Sequence, residues 1–235
     1  MALRGSTNEE RIWNYFKDKG FSDCGIAGLM GNLYAESALK PTNLQNTYEK
    51  SLGYTDADYT AAVDNGIYKN FVKDSAGYGL AQWTYWSRKQ NLLSFAKSQS
   101  KSIGDLEMQL DFLYKELCEG YKTVLSVLKN AKSVLEASNI VLLQFERPAN
   151  QSESVQTKRA SYGQKYYDKF VKEDIEMAEI KKDNTPDAWA KEAVDWAVEN
   201  KILFGDENGN YKLHDNCTRQ EMLVFINRVC EKVLK

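Results

Sequence analysis

The run Gly25-Ile26-Ala27-Gly28-Leu29-Met30-Gly31-Asn32-Leu33-Tyr34-Ala35-Glu36-Ser37 limits the possible folds more than any other part of the 235-residue chain. Ile26, Leu29, Met30 and Leu33 recur at helical spacing, so the run reads as an amphipathic helix, closed by Pro41. Three glycines lie inside it at intervals of three, and each weakens a helix by up to about 1 kcal/mol relative to alanine. A helix that keeps such a stripe is pressed backbone-close against other elements. Glu36 stands in its last turn, where the negative end of the helix dipole disfavours a second negative charge. That position is expected to raise the carboxyl pKa, which suits a general acid working near neutrality.

Helical signals continue on both sides. Thr7-Asn8-Glu9-Glu10 is a capping-box pattern, and Ile12, Trp13, Tyr15 and Phe16 follow at helical intervals. Ser22 is placed to cap the glycine-striped helix. Residues 42–78 mix turn formers with short apolar runs, predicting a short helix near 55–63 and little else beyond one hairpin. Beyond Gly79 the spacing of leucines and aromatics predicts helices over 88–97, 105–118, 121–130, 134–145 and 156–170. The expected fold class is therefore mainly α: a helical body over residues 1–170 with an irregular loop or small hairpin region between Glu36 and the later helices. Residues 171–185, rich in Lys and Glu, read as a linker before Pro186. Residues 186–235 read as a small module of helix, hairpin (203–213) and helix (218–233).

Several chemistries are excluded by composition. His214 is the only histidine, so zinc sites with several nitrogen ligands and Ser–His or Cys–His catalysis lack their parts. Cys24, Cys118, Cys217 and Cys230 have no metal-ligand spacing. On a helix from 218, Cys217 and Cys230 would stand about 19 Å apart, too far to bridge. All four read as reduced, with Cys24 and Cys118 in the core. Asp206-Glu207-Asn208-Gly209-Asn210 has its glycine at the fourth position, not the sixth of a calcium loop, so it reads as a hairpin turn. No metal or cofactor is expected. A net charge of −2 gives no footprint for nucleic acid. No apolar run approaches a membrane span, and Met1 leads into Ala-Leu-Arg-Gly-Ser-Thr rather than a signal peptide, so synthesis in the cytoplasm without membrane insertion is expected. What remains is carboxylate chemistry.

Glu36-Ser37 with Pro41, then Gly77-Tyr78-Gly79-Leu80-Ala81-Gln82-Trp83-Thr84, then Arg88-Lys89, resemble the phage-tail-type lysozyme domain of clostridial phage and prophage endolysins. That group lies in the goose-type lysozyme and lytic transglycosylase superfamily, and the resemblance covers roughly residues 5–170. It implies a lysozyme-like fold with Glu36 as the acid that protonates the leaving oxygen of a β-1,4 bond between N-acetylmuramic acid and N-acetylglucosamine. An aspartate shortly before the glycine-rich stretch corresponds to Asp74, expected to place the attacking water, with Asp64 and Asp58 as outsiders. The family's second aspartate is replaced by Thr84. Gln82, Tyr78, Trp83 and Ser37 are expected to bind the sugar, the amide by hydrogen bonds and the aromatics by their apolar faces. Glu146 is expected to form a structural pair with Arg147 or Arg88. The leading expectation is an endolysin that hydrolyses peptidoglycan. Its rivals are a lytic transglycosylase, which needs Glu36 alone, and a non-catalytic wall-binding or phage structural protein. Trp189-Ala190, Ala193-Val194, Trp196-Ala197 and Thr218-Arg219-Gln220-Glu221 resemble one S-layer-homology repeat, which implies that the C-terminal module contacts a cell-wall polymer. A holin is the partner expected to give access to the wall, where the enzyme acts after release.

Overall fold

The computed structural model describes residues 3–233, the side chains of 172–179, 182 and 233 excepted. Helices and loops make up the described residues, whose only strand-like pairings are two isolated bridges, Leu44 with Tyr78 and Tyr78 with Trp83. The mainly α class expected from the periodicity is what forms. The chain divides into two units, Met1–Lys169 and Phe170–Lys235.

In the first unit, helix α1 (Asn8–Asp18) starts from the expected capping box: the Thr7 hydroxyl accepts from the Glu10 N–H while the Glu10 carboxylate accepts from the Thr7 N–H. Helix α2 (Asp23–Ser37) is capped by Ser22, whose hydroxyl accepts from the Gly25 N–H, and it ends at Ala38 in the left-handed conformation with φ 51°. Every residue from Gly25 to Leu33 is buried, so α2 is the central helix of the unit and not the amphipathic one predicted. The glycines supply the reason. A step of three residues turns about 60° short of a full circle, so successive glycines face successive neighbours. A Cβ on Gly25 would lie 1.8 Å from the Leu128 carbonyl oxygen of α7 (Lys122–Asn130). On Gly28 it would lie 2.5 Å from the Ala137 Cβ of α8 (Val134–Ile140), and on Gly31 2.4 Å from the Arg159 carbonyl oxygen of α9 (Glu153–Asp183). Three helices thus approach α2 at distances that no side chain would allow.

Between α2 and the later helices, α3 (Asn46–Leu52) and α4 (Asp56–Asp64) interrupt the loop region; α4 matches the predicted short helix, while α3 has no periodic signal. Helices α5 (Trp86–Ser98) and α6 (Leu106–Gly120) follow. Helix α8 runs directly into a π-helical segment, Val141–Glu146, which stops at Arg147 with φ 49°. Helix α9 continues to Asp183, through the segment read as a linker. Lys, Glu, Ala and Met are good helix formers, and nothing in 171–183 breaks a helix before Asn184-Thr185-Pro186.

The second unit adds α10 (Lys191–Glu199) and α11 (Arg219–Val233). The hairpin expected over 203–213 does not form. Asp206 instead folds the chain into a tight turn, its Oδ1 accepting from the N–H groups of Asn208 and Asn210, with Gly209 at φ 77°. Thr218 and Glu221 cap α11 reciprocally. All four cysteines are free, and Cys24 and Cys118 are half-buried rather than in the core.

Candidate active site

The end of α2 opens into a cleft of about 430 Å³ bounded by Tyr34, Glu36, Asn43, Gln45, Gln82 and Tyr162 among others. Among the described residues, Glu36 is the only acidic one that lines it. The carboxylate Oε1 accepts from Arg159 Nη2 at 2.5 Å, and the Glu36 side chain is 20% exposed. Arg159 is held in turn by α2. Its backbone rests on Gly31, and its Nη1 donates to Asn32 Oδ1 at 3.2 Å. Asn32 is fixed by donating to Gly28 O, Ser138 O and Ser138 Oγ. One glycine, one asparagine and one glutamate on the same helix therefore position a single guanidinium on the carboxylate. This leaves Glu36 Oε2 without a hydrogen-bond partner among the described residues.

Gln82 is brought to the same cleft. It adopts φ 45°, and its amide nitrogen donates to Asn43 O at 3.0 Å and Gly79 O at 3.1 Å. Its carbonyl oxygen has no hydrogen-bond donor among the described residues and lies beside Gly77, where a Cβ would lie 2.7 Å from it. Ser37 also lines the cleft, but its hydroxyl donates to Leu33 O and Leu80 O and fastens the helix end to the glycine-rich loop.

Three of the expected site residues lie elsewhere. Tyr78 is wholly buried with its hydroxyl 2.6 Å from Thr60 Oγ1. Trp83 is wholly buried with its indole N–H on Glu116 Oε2 at 2.8 Å. Both are core residues, because the bridges that fold 78–83 back on itself turn these rings inward. The side chain of Asp74 is 1% exposed. Its carboxylate accepts from Lys89 Nζ and Tyr59 OH at 2.5 Å, from the Ala76 N–H at 3.0 Å and from Tyr68 OH at 3.1 Å. Burial pulls the Lys89 ammonium below its usual range against the pull of Asp74, and burial with the Asp74 charge keeps both phenols protonated. Four donors fill the carboxylate, an environment that does not fit a water-placing role. The outsiders are occupied too: Asp64 accepts from Ser102 and Ile103, Asp58 from Thr55.

Glu146 does not sit in the structural pair expected of it. Neither expected partner takes it. Arg88 forks onto Glu116 with two contacts of 2.8 Å, and Arg147 Nε donates to Gln144 O. Glu146 closes the π-helical segment with Oε1 buried and without a hydrogen-bond partner among the described residues. Burial first, and the charge on Glu36 second, raise its pKa from 4.5 to about 8, with Arg88 and Arg159 opposing. At neutral pH it is a protonated acid within the field of Glu36. A π-turn, which often marks functional positions, has no sequence signature that would have pointed to it.

A helical domain that presents a lone glutamate from the end of its central helix, facing a glutamine on a glycine-rich loop, belongs with the lysozyme-like proteins. Comparison with known sequences is specific. Residues 7–170 match the phage tail lysozyme family, and the chain belongs to it. Residues 182–223 match the S-layer homology domain. Morphogenesis protein 1 of Bacillus phage B103 is 26% identical over 164 residues, a match that covers 67% of this chain and 38% of that protein.

Proposed function

We propose that the chain cleaves the glycan strand of peptidoglycan at the β-1,4 bond between N-acetylmuramic acid and N-acetylglucosamine, with Glu36 as general acid. The observation that carries this reading is the single acidic residue in the cleft, oriented by Arg159 and faced by Gln82. In the protonated form that the reaction requires, Glu36 gives its proton to the glycosidic oxygen as the C1–O bond breaks. The Gln82 carbonyl oxygen is suited to accept from the N–H of an acetamido group.

Two outcomes can follow bond cleavage. Hydrolysis, the leading expectation from sequence, requires a carboxylate to take a proton from water on the opposite face, roughly 6.5–9.5 Å from the acid. Asp74 is saturated by four donors, and Glu146 holds its own proton. That shortage favours the lytic transglycosylase route. There the C6 hydroxyl of the muramic acid attacks C1 and returns its proton to Glu36, which leaves a 1,6-anhydro end and a regenerated acid. The S-layer-homology unit is assigned to holding a wall polymer. A holin would be needed for release from the cytoplasm. The tail-lysozyme family and the morphogenesis-protein relative support delivery with the phage particle instead.

Mass spectrometry of digested peptidoglycan tests bond and outcome together. Anhydro ends are expected from the native chain, and reducing muramic acid ends would return the mechanism to hydrolysis. Glu36→Gln is expected to fold and to lose about 10²–10⁴-fold in rate. More than about a tenth of native activity in a folded Glu36→Gln protein would remove Glu36 from the role.

A further inference from the structure

The stretch that buries Tyr78 and Trp83 leaves the next two aromatics outside: Tyr85 is 64% and Trp86 57% exposed. Their rings stand 6.0 Å apart and are inclined by 44°. With Val72, Lys73, Ser75 and Thr84 they line an open hollow of about 740 Å³. Lys73 is exposed and has no acidic partner among the described residues.

This hollow is rigidly built. Trp86 opens α5, and the following residues of the same turn are anchored in the interior, Arg88 on Glu116 and Lys89 on Asp74. Two ion pairs therefore hold the turn that displays Tyr85 and Trp86. Aromatic side chains on such a base lose little freedom when a ligand docks. The hollow also adjoins the Glu36 cleft. Thr84 Oγ1 donates to Gln82 O at 2.8 Å, and the side chains of Gln82 and Thr84 flank the same Gly77. One residue lines the cleft, the other the hollow.

We propose that Tyr85, Trp86 and Lys73 form a second saccharide site for the glycan strand, beyond the bond that is cut. The aromatic faces stack on the apolar face of a pyranose, and the Lys73 ammonium meets a carboxylate of the stem peptide carried by that sugar. The assignment rests on the glycan-cleaving reading. Peptidoglycan fits it because the strand repeats pyranoses with apolar C–H faces and carries its carboxylates on the peptides. The faces of Tyr85 and Trp86 and the single positive charge match those two features in one place.

The test uses the full chain carrying Glu36→Gln, which is to bind without cutting. Two probes are titrated: peptidoglycan stripped of secondary wall polymers by acid, and a soluble peptide-free hexamer of N-acetylglucosamine. Trp86→Ala is expected to weaken binding of both about tenfold, with Trp86→Phe restoring most of it and the melting temperature unchanged. Lys73→Glu is expected to weaken the peptide-bearing polymer several-fold more than the hexamer. Unchanged binding of both probes by Trp86→Ala would overturn the site. So would a loss confined to peptidoglycan, because the aromatics would then not be holding the sugar. Lysis by the native chain and its loss in Glu36→Gln report on the cleaving reading separately, so the two can fail independently.

Discussion

Glu146 keeps its proton because burial strips its carboxylate of water and the Glu36 charge adds to the cost, which together outweigh Arg88 and Arg159. The consequence for stability follows from proton linkage. Unfolded, the group releases its proton near 4.5; folded, it holds the proton up to about 8. Across that interval the folded chain binds the extra proton, so stability is fully present below 4.5 and declines as pH rises towards about 8. Glu146→Gln retains an uncharged group of similar shape and removes the titration. Melting temperatures between pH 5 and 8 are therefore expected to fall more steeply for the native chain than for Glu146→Gln. Parallel curves would mean that the carboxyl ionises as it does in water. Activity adds an independent check: deprotonation of Glu146 places a second negative charge in the field of Glu36, so the native pH–rate profile should show an inflection near pH 8 that Glu146→Gln lacks.

At the scale of elements, the glycine-rich stretch and α5 behave as one piece, clamped by Asp74 and Lys89, whose side chains are 1% and 0% exposed. Removing one partner of a buried pair leaves the other charge uncompensated, at a cost of about 3–5 kcal/mol. Asp74→Asn should lower the calorimetric melting temperature sharply, yet preserve turnover per folded molecule at temperatures below unfolding. Loss of turnover in a fully folded Asp74→Asn protein would instead restore Asp74 to the chemistry. The clamp also marks what could be read in advance. Helix α1 and the start of α2 were legible because capping side chains and periodic apolar residues act within four positions of each other. The glycine stripe announced close approach without naming α7, α8 and α9 as the partners. The contacts of Asp74 could not be read in advance because its partners, Lys89 and Tyr59, are each fifteen positions away. Choosing between Tyr78 or Trp83 and Tyr85 or Trp86 as the exposed aromatics depended on two isolated bridges, which no alternation in the sequence records.

The two units differ in how much of themselves they bury. The first encloses Ile12, Phe16, Ile26, Leu29, Met30 and Leu33 completely, together with Leu110, Leu113, Val141 and Leu142. Among the described residues of the second, the buried apolar side chains are Phe170 and Ile202, while Trp189 is 87%, Leu223 66% and Phe204 55% exposed. Stability that comes from apolar burial therefore resides in the first unit. A fragment of residues 1–170 ends inside α9, but the part of α9 that it retains is tied down. Tyr162 and Tyr166 pack on Tyr34, Lys169 pairs with Glu9, and Arg159 holds Glu36. The turns removed after Phe170 lie beyond all of these contacts. The fragment is thus expected to fold cooperatively, elute as a compact species and cleave stripped peptidoglycan at close to the full-length rate. An aggregated or molten fragment, by gel filtration and circular dichroism, would show that the first unit depends on residues past 170. On intact walls the expectation differs: if the S-layer-homology unit holds a wall polymer, its loss should slow lysis there while leaving stripped glycan unaffected. Equal rates on both substrates would show that this unit does not target the enzyme.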